Sequence, residues 1–94
     1  MSVAFDTSLE EMQAIARRIR GRLVQMSHRA QTPHLASSLS CVDILVAAYW
    51  GALDIDPSQP HDPLRDRVIL SKGHAATTLY AALQARGYFS EELL

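Results

Sequence analysis

The run Val68-Ile69-Leu70, set between Arg65-Asp66-Arg67 and Ser71-Lys72-Gly73, constrains the fold more than any other stretch. A short apolar, β-prone segment with charge in front and small polar residues behind reads as a buried strand that exits into a turn. Gly73 permits a tight turn there, which delivers His74 to the rim of a sheet at the start of the following helix. In open α/β sheets that rim is where ligands bind. This stretch reads as an α/β element.

The flanking segments read as helices. Ser8-Leu9-Glu10-Glu11 has the form of a capping box, and Leu9, Met12, Ile15, Ala16, Ile19, Leu23 and Met26 recur at intervals of three and four on one stripe. The spacing predicts a long amphipathic helix that ends near Ser27 to Ala30. Gln31 to Leu39, with Pro33 disfavouring helix at Thr32, reads as a loop around His34. Ser40 is placed as the cap of a second helix carrying Val42, Leu45, Val46, Tyr49 and Leu53, with Gly51 as its terminator. Asp54 to Pro63 is rich in Asp and Pro and reads as a surface connection, with His61 facing solvent. Beyond the strand and turn, a third helix runs from Ala75 to Arg86 and stops at Gly87. Ser90 to Leu94 looks like the capped opening of a fourth helix that the sequence leaves unfinished, which suggests a fragment.

Composition narrows the classes. Of 94 residues, 48% are hydrophobic and 20% charged, the profile of a folded chain and not of a disordered one. A net charge of -1 gives no general attraction to nucleic acid. Arg17, Arg18, Arg20, Arg22 and Arg29 fall in the first helix and read as a solvated or interface face. Cys41 is the single cysteine, which excludes an intrachain disulfide and a CxxC site. No basic segment precedes an apolar run at the N-terminus, and no run is expected to reach the ~18 apolar residues of a membrane span. A cytoplasmic location follows as an expectation, with neither nucleic acid nor membrane as a partner.

Four histidines, at positions 28, 34, 61 and 74, match no zinc spacing, so no metal site is expected from this chain alone. His28 reads as a helix-end residue that complements the helix dipole. His34 and His74 differ, because each lies on a turn flanked by small residues, where reacting groups are commonly presented. An imidazole with an unperturbed pKa near ~6.5 moves protons at neutral pH or hydrogen-bonds a polar substrate. Ser37, Ser38, Ser40 and Ser71 read as caps and turn residues, since no G-x-S-x-G elbow is present. Lys72-Gly73 lacks the rest of a phosphate-binding P-loop.

Arg65 to Ala75, with Ser71-Lys72-Gly73-His74-Ala75 at its end and Leu79-Tyr80-Ala81-Ala82-Leu83 and Gly87 downstream, resembles the N-terminal region of transketolases. These thiamine diphosphate enzymes move a two-carbon ketol unit between sugars. The resemblance runs from the first helix, with Ile19-Arg20, through Ser40 and Asp43-Ile44-Leu45 to the last residue, and implies that residues 1–94 are one incomplete N-terminal segment of a thiamine diphosphate-binding α/β fold, with helices packed on the start of a parallel sheet. It implies that His74 and His34 line the substrate side of the site and serve as catalytic residues in proton transfer and hydroxyl binding. Ser37, Ser71, Lys72 and Gly73 are implied to lie near substrate or cofactor. Where typical members read Gly-His-Pro-Gly or Gly-His-x-Gly-Gly, this chain has Pro33 before His34 and Leu35-Ala36-Ser37 after it. The change narrows the backbone options and points away from a usual pentose-pathway sugar phosphate.

The resemblance further implies thiamine diphosphate and Mg²⁺ as cofactors of the complete enzyme. Family members hold them through a Gly-Asp-Gly motif and a later Asn that these residues lack, so tight binding to this chain alone is not expected. The implied partners are a sugar or sugar-phosphate substrate and the remainder of the enzyme or a C-terminal pyrimidine-domain subunit, within a homo- or hetero-oligomer. Two alternatives stand beside this reading: a different thiamine diphosphate-dependent enzyme, and a non-catalytic interaction module or assembly subunit derived from the same fold.

Overall fold

A computed structural model describes residues 7–31, 35–90 and 92 of the chain. Among them it contains helices and turns but no strand, which overturns the α/β expectation of a parallel sheet begun at Val68–Leu70. Residues 66–72 lie outside any helix or strand. Val68 and Leu70 pack against the core while Ile69 is 90% exposed, so the period-two alternation of a strand survives. A strand also needs a second segment beside it to exchange N–H and C=O groups, and the described residues supply none.

Helix α1 spans Leu9–Ala30. Ser8 caps it as expected, its Oγ accepting from the Glu11 amide at 3.1 Å. The other half of the capping box departs from the usual form: Glu11 Oε1 accepts from the serine hydroxyl at 3.1 Å. Ile15, Ala16, Ile19 and Leu23 are buried and Met12 and Met26 are partly so, while Leu9, at the exposed entry of the helix, is 70% exposed. The helix closes at Gln31, which adopts the left-handed conformation (φ 54°, ψ 38°) and returns its amide to the Ser27 carbonyl.

The segment read as a loop folds back into helix. α2 spans Leu35–Ser40, Cys41 makes a turn, and α3 spans Val42–Ala47. Ser40 therefore does not cap the next helix; its hydroxyl donates back to the Ser37 carbonyl at 2.9 Å. Cys41 occupies the cap position without a side-chain cap bond. α3 widens into a π turn over Ala48–Ala52, which the Leu53 amide closes on the Ala48 carbonyl. Gly51 sits inside this turn and does not terminate α3. A methyl group there would lie 2.9 Å from Met12 Cε, so the glycine lets α1 come close.

By length and hydropathy alone, Leu35–Ala52 is an 18-residue run able to cross a membrane, contrary to the expectation that none exists. In the fold it is broken at Cys41, and Val42, Leu45, Val46 and Tyr49 are spent on the core.

Residues 53–66 form a surface connection whose ends are tied together. The Asp54 amide donates to Asp66 Oδ2 at 2.6 Å, and the Asp66 amide donates to the Asp54 carbonyl at 3.1 Å. Ile55 is the buried anchor of this loop, and His61 is exposed as expected. The chain then makes a single 3₁₀ turn, Gly73–Ala75, and enters α4, Ala76–Arg86. Gly87 ends α4 at φ 105°; its amide bonds the Gln84 carbonyl at 3.1 Å and the Tyr88 amide bonds the Leu83 carbonyl at 3.0 Å. This is the Schellman pattern, which a left-handed glycine makes possible. The fourth helix expected from Ser90 onward falls largely outside the described residues.

α1 lies against α2, α3 and α4, and one core runs between them. Ala75, Ala81 and Ala82 are buried, and their small side chains bring α4 close to its neighbours.

Candidate functional site

The Ser71-Lys72-Gly73-His74 motif occupies the approach to α4, with all four residues exposed. The turn is closed by the Ala75 amide, which donates to the Lys72 carbonyl at 3.0 Å, so His74 sits in the middle of a single hydrogen-bonded loop. Ala75 is fully buried and anchors that loop from beneath. Gly73 carries no positive φ, and a Cβ built on it would meet nothing within 4 Å. The expectation that the turn requires glycine for its backbone shape is therefore corrected: what glycine leaves here is open space beside His74.

Two hydrogen bonds join this turn and its helix to α2. Lys72 Nζ donates to Ser40 Oγ at 2.8 Å, across 32 residues of sequence. Thr78 Oγ1, fully buried in the first turns of α4, donates to the Ser38 carbonyl at 2.5 Å, across 40 residues. Ser37, also in α2, is half-buried, and its carbonyl receives the Ser40 hydroxyl. The structure thus brings Ser37, Ser71, Lys72, Gly73 and His74 to neighbouring α2 and α4 segments. His34 lies outside the described residues. Ser38, Ser40 and Thr78 join the site only through the fold, because hydrogen bonds that span 32 and 40 residues leave no local pattern in the sequence.

Arg20 ties α1 to α3 through Asp43 at 2.8 Å, an exposed pair of the kind that stabilises by under ~1 kcal/mol. Tyr49 and Tyr88 meet edge to face with centroids 6.5 Å apart, and both hydroxyls are pushed above the ordinary tyrosine range, chiefly by burial. Asp56 is held below the usual carboxylate range by the Ser58 hydroxyl and then the Ser58 amide, which donate to its Oδ1 at 2.7 and 3.0 Å.

Surface clefts of about 190 to 340 Å³ open elsewhere among the described residues, and Ser71, Lys72, Gly73 and His74 line none of these. No three or more His, Cys, Asp or Glu side chains converge in a way that could hold a metal ion, again among the described residues. Among the described residues, then, no set of side chains fits the metal of a diphosphate cofactor.

The exposed imidazole on its closed turn at the entry to α4, preceded by Lys72 and tied to a second helix, lies within the part of the chain that matches a known family. Residues 11–93 match the family model described as transketolase, thiamine diphosphate binding domain. The chain belongs to this family and corresponds to its N-terminal part. Over 85 residues it is 34% identical to a protein of Phocaeicola vulgatus named as one subunit of apulose-4-phosphate transketolase, covering 90% of this chain and 30% of that protein. Over 61 residues it is 51% identical to 6-deoxy-6-sulfo-D-fructose transketolase subunit SqwG of a Clostridium species, covering 65% and 22%. Over 87 residues it is 33% identical to transketolase of Homo sapiens, covering 92% and 14%. The chain thus spans 30% or less of the length of these relatives.

Proposed function

We propose that the natural protein carrying this chain transfers a two-carbon ketol unit from a ketose donor to an aldose acceptor, with His74 on the substrate side of the site. The observation that carries this reading is the exposed His74 on its closed turn, within a segment that matches the family from residue 11 to residue 93. An imidazole placed there accepts a proton from a sugar hydroxyl or returns one as bonds to the neighbouring carbon form and break. Ser71 and Gly73 border it, Ser37 and Lys72 lie on the two connected segments, and His34 belongs to this reading through the resemblance alone.

Thiamine diphosphate and Mg²⁺ belong to this reading as cofactors of the natural protein, gripped by groups outside the described residues. Two relatives are named as transketolase subunits, which supports a partner chain that completes the enzyme. An oligomer working in the cytoplasm belongs to the same reading. Those relatives bear the names of an apulose 4-phosphate and a sulfo-sugar enzyme. Together with the altered residues around His34, this favours a substrate other than the common pentose phosphates. Ile69 at 90% and Leu64 at 86% exposure provide apolar contacts for the rest of the assembly.

The test is to produce the natural polypeptide together with its partner chain, add thiamine diphosphate and Mg²⁺, and follow ketol transfer across a panel of ketose and aldose pairs. Appearance of a ketose two carbons longer than the acceptor, with the shortened aldose released from the donor, is the expected result. No transfer with any pair, from an assembly that binds the cofactor, would overturn the reading.

A further inference from the structure

Ser40 stands at the last position of α2, and its hydroxyl is the middle link of a short chain of bonds. It accepts from Lys72 Nζ at 2.8 Å and donates its single proton to the Ser37 carbonyl at 2.9 Å. A hydroxyl polarised by an ammonium donor is the stronger donor to its own acceptor, so the two bonds reinforce each other. Lys72 is in turn held at both ends: its side chain on α2, and its carbonyl on the Ala75 amide that closes the His74 turn. Thr78 on Ser38 fixes the spacing of α2 and α4, so the serine and the lysine face one another before any ligand arrives.

We propose that Ser40 is a positioning residue for His74, acting through Lys72 to set the turn that carries the imidazole. The proposal deepens the ketol-transfer reading and rests on it for its catalytic consequence. Removing the hydroxyl leaves Lys72 without its anchor and the Ser37 carbonyl without its hydroxyl donor, and the turn relaxes about the Lys72–Ala75 bond. Since a displacement of about 1 Å costs up to ~10²-fold in rate, a partial relaxation is read as a loss of turnover more than of substrate affinity.

The experiment uses the natural polypeptide with its partner chain, and the variants Ser40→Ala, Ser40→Thr, Lys72→Met and the Ser40→Ala/Lys72→Met pair. Amide hydrogen exchange at Ala75 is expected to quicken about tenfold in Ser40→Ala and Lys72→Met, no further in the pair, and to return to the original rate in Ser40→Thr, which keeps the hydroxyl. In ketol transfer, kcat falls about tenfold in Ser40→Ala with KM for the ketose changed by less than about twofold, and threonine restores it. Unchanged exchange at Ala75, additive losses in the pair, or a loss that threonine does not rescue would each overturn the proposal. An active wild type with an unaffected Ser40→Ala variant overturns it and leaves ketol transfer standing. An inactive wild type whose Ala75 exchange still responds upholds the coupling and overturns ketol transfer.

Discussion

Thr78 Oγ1 donates to the Ser38 carbonyl at 2.5 Å with neither side chain open to solvent, and so binds the helix that follows His74 to the helix between Leu35 and Ser40. Without that hydroxyl the buried carbonyl loses a strong donor, the Cys41 thiol at 3.7 Å being a weak one. Thr78→Val keeps the shape and removes the donor, and is expected to destabilise the protein by about 1–3 kcal/mol. Thr78→Ser retains most of that stability. Urea denaturation of the three proteins checks the order, and a valine variant as stable as wild type would remove this bond from the account.

Gly87 and Gly51 separate two reasons for a glycine. Gly87 has φ 105°, a conformation that a side chain strains, and its two Schellman bonds depend on it. Gly51 only makes room for Met12 Cε, the flexible end of a side chain that swings aside. Gly87→Ala is therefore expected to cost about 1 kcal/mol or more, and Gly51→Ala distinctly less. Thermal melts of both variants measure the difference.

The legible parts of the sequence are those whose causes are local. The Ser8 cap, the 3–4 spacing through Leu23 and the stop at Gly87 each act within a few residues, and each stands in the structure where the sequence places it. Val68-Ile69-Leu70 keeps its alternation but not its sheet, because a ladder depends on a neighbour that a single apolar run cannot announce. α2 is hidden for a related reason: Ala36-Ser37-Ser38-Leu39-Ser40 has weak helix preference, and its contacts with α1 and α4 supply what propensity does not. At the candidate site the same division holds. Ser71 to His74 are visible as a motif, whereas Ser40 and Thr78 declare themselves only through partners far along the chain.

Tyr49 gives the fold an alkaline limit. Its hydroxyl is raised above the ordinary tyrosine value, first by burial and then by Tyr88. The folded state thus holds the proton more tightly than the unfolded state, whose pKa is ~10. That contribution is complete below the unfolded value and is lost as pH rises through the folded one. Tyr49→Phe is expected to flatten the fall in stability above pH ~10 relative to wild type. Chemical denaturation at a series of alkaline pH values reads this, and an unchanged slope would count against it.

Leu23, 1% exposed in α1, is the largest aliphatic side chain buried to that degree in the core the helices share. Leu23→Ala is expected to cost roughly 2–5 kcal/mol, as for other buried leucines, through lost transfer energy and the cavity left behind. Equilibrium unfolding measures it, and a cost under about 1 kcal/mol would show that the site collapses freely.

The measurement that bears most directly on the central claim is ketol transfer by the natural assembly with His74 replaced by alanine. His74 is exposed, so the substitution leaves the core untouched. The account predicts that kcat falls by ~10²-fold or more while the melting temperature and cofactor affinity stay close to wild type. Turnover equal to wild type in the His74→Ala assembly would contradict it and leave the turn as a structural joint alone.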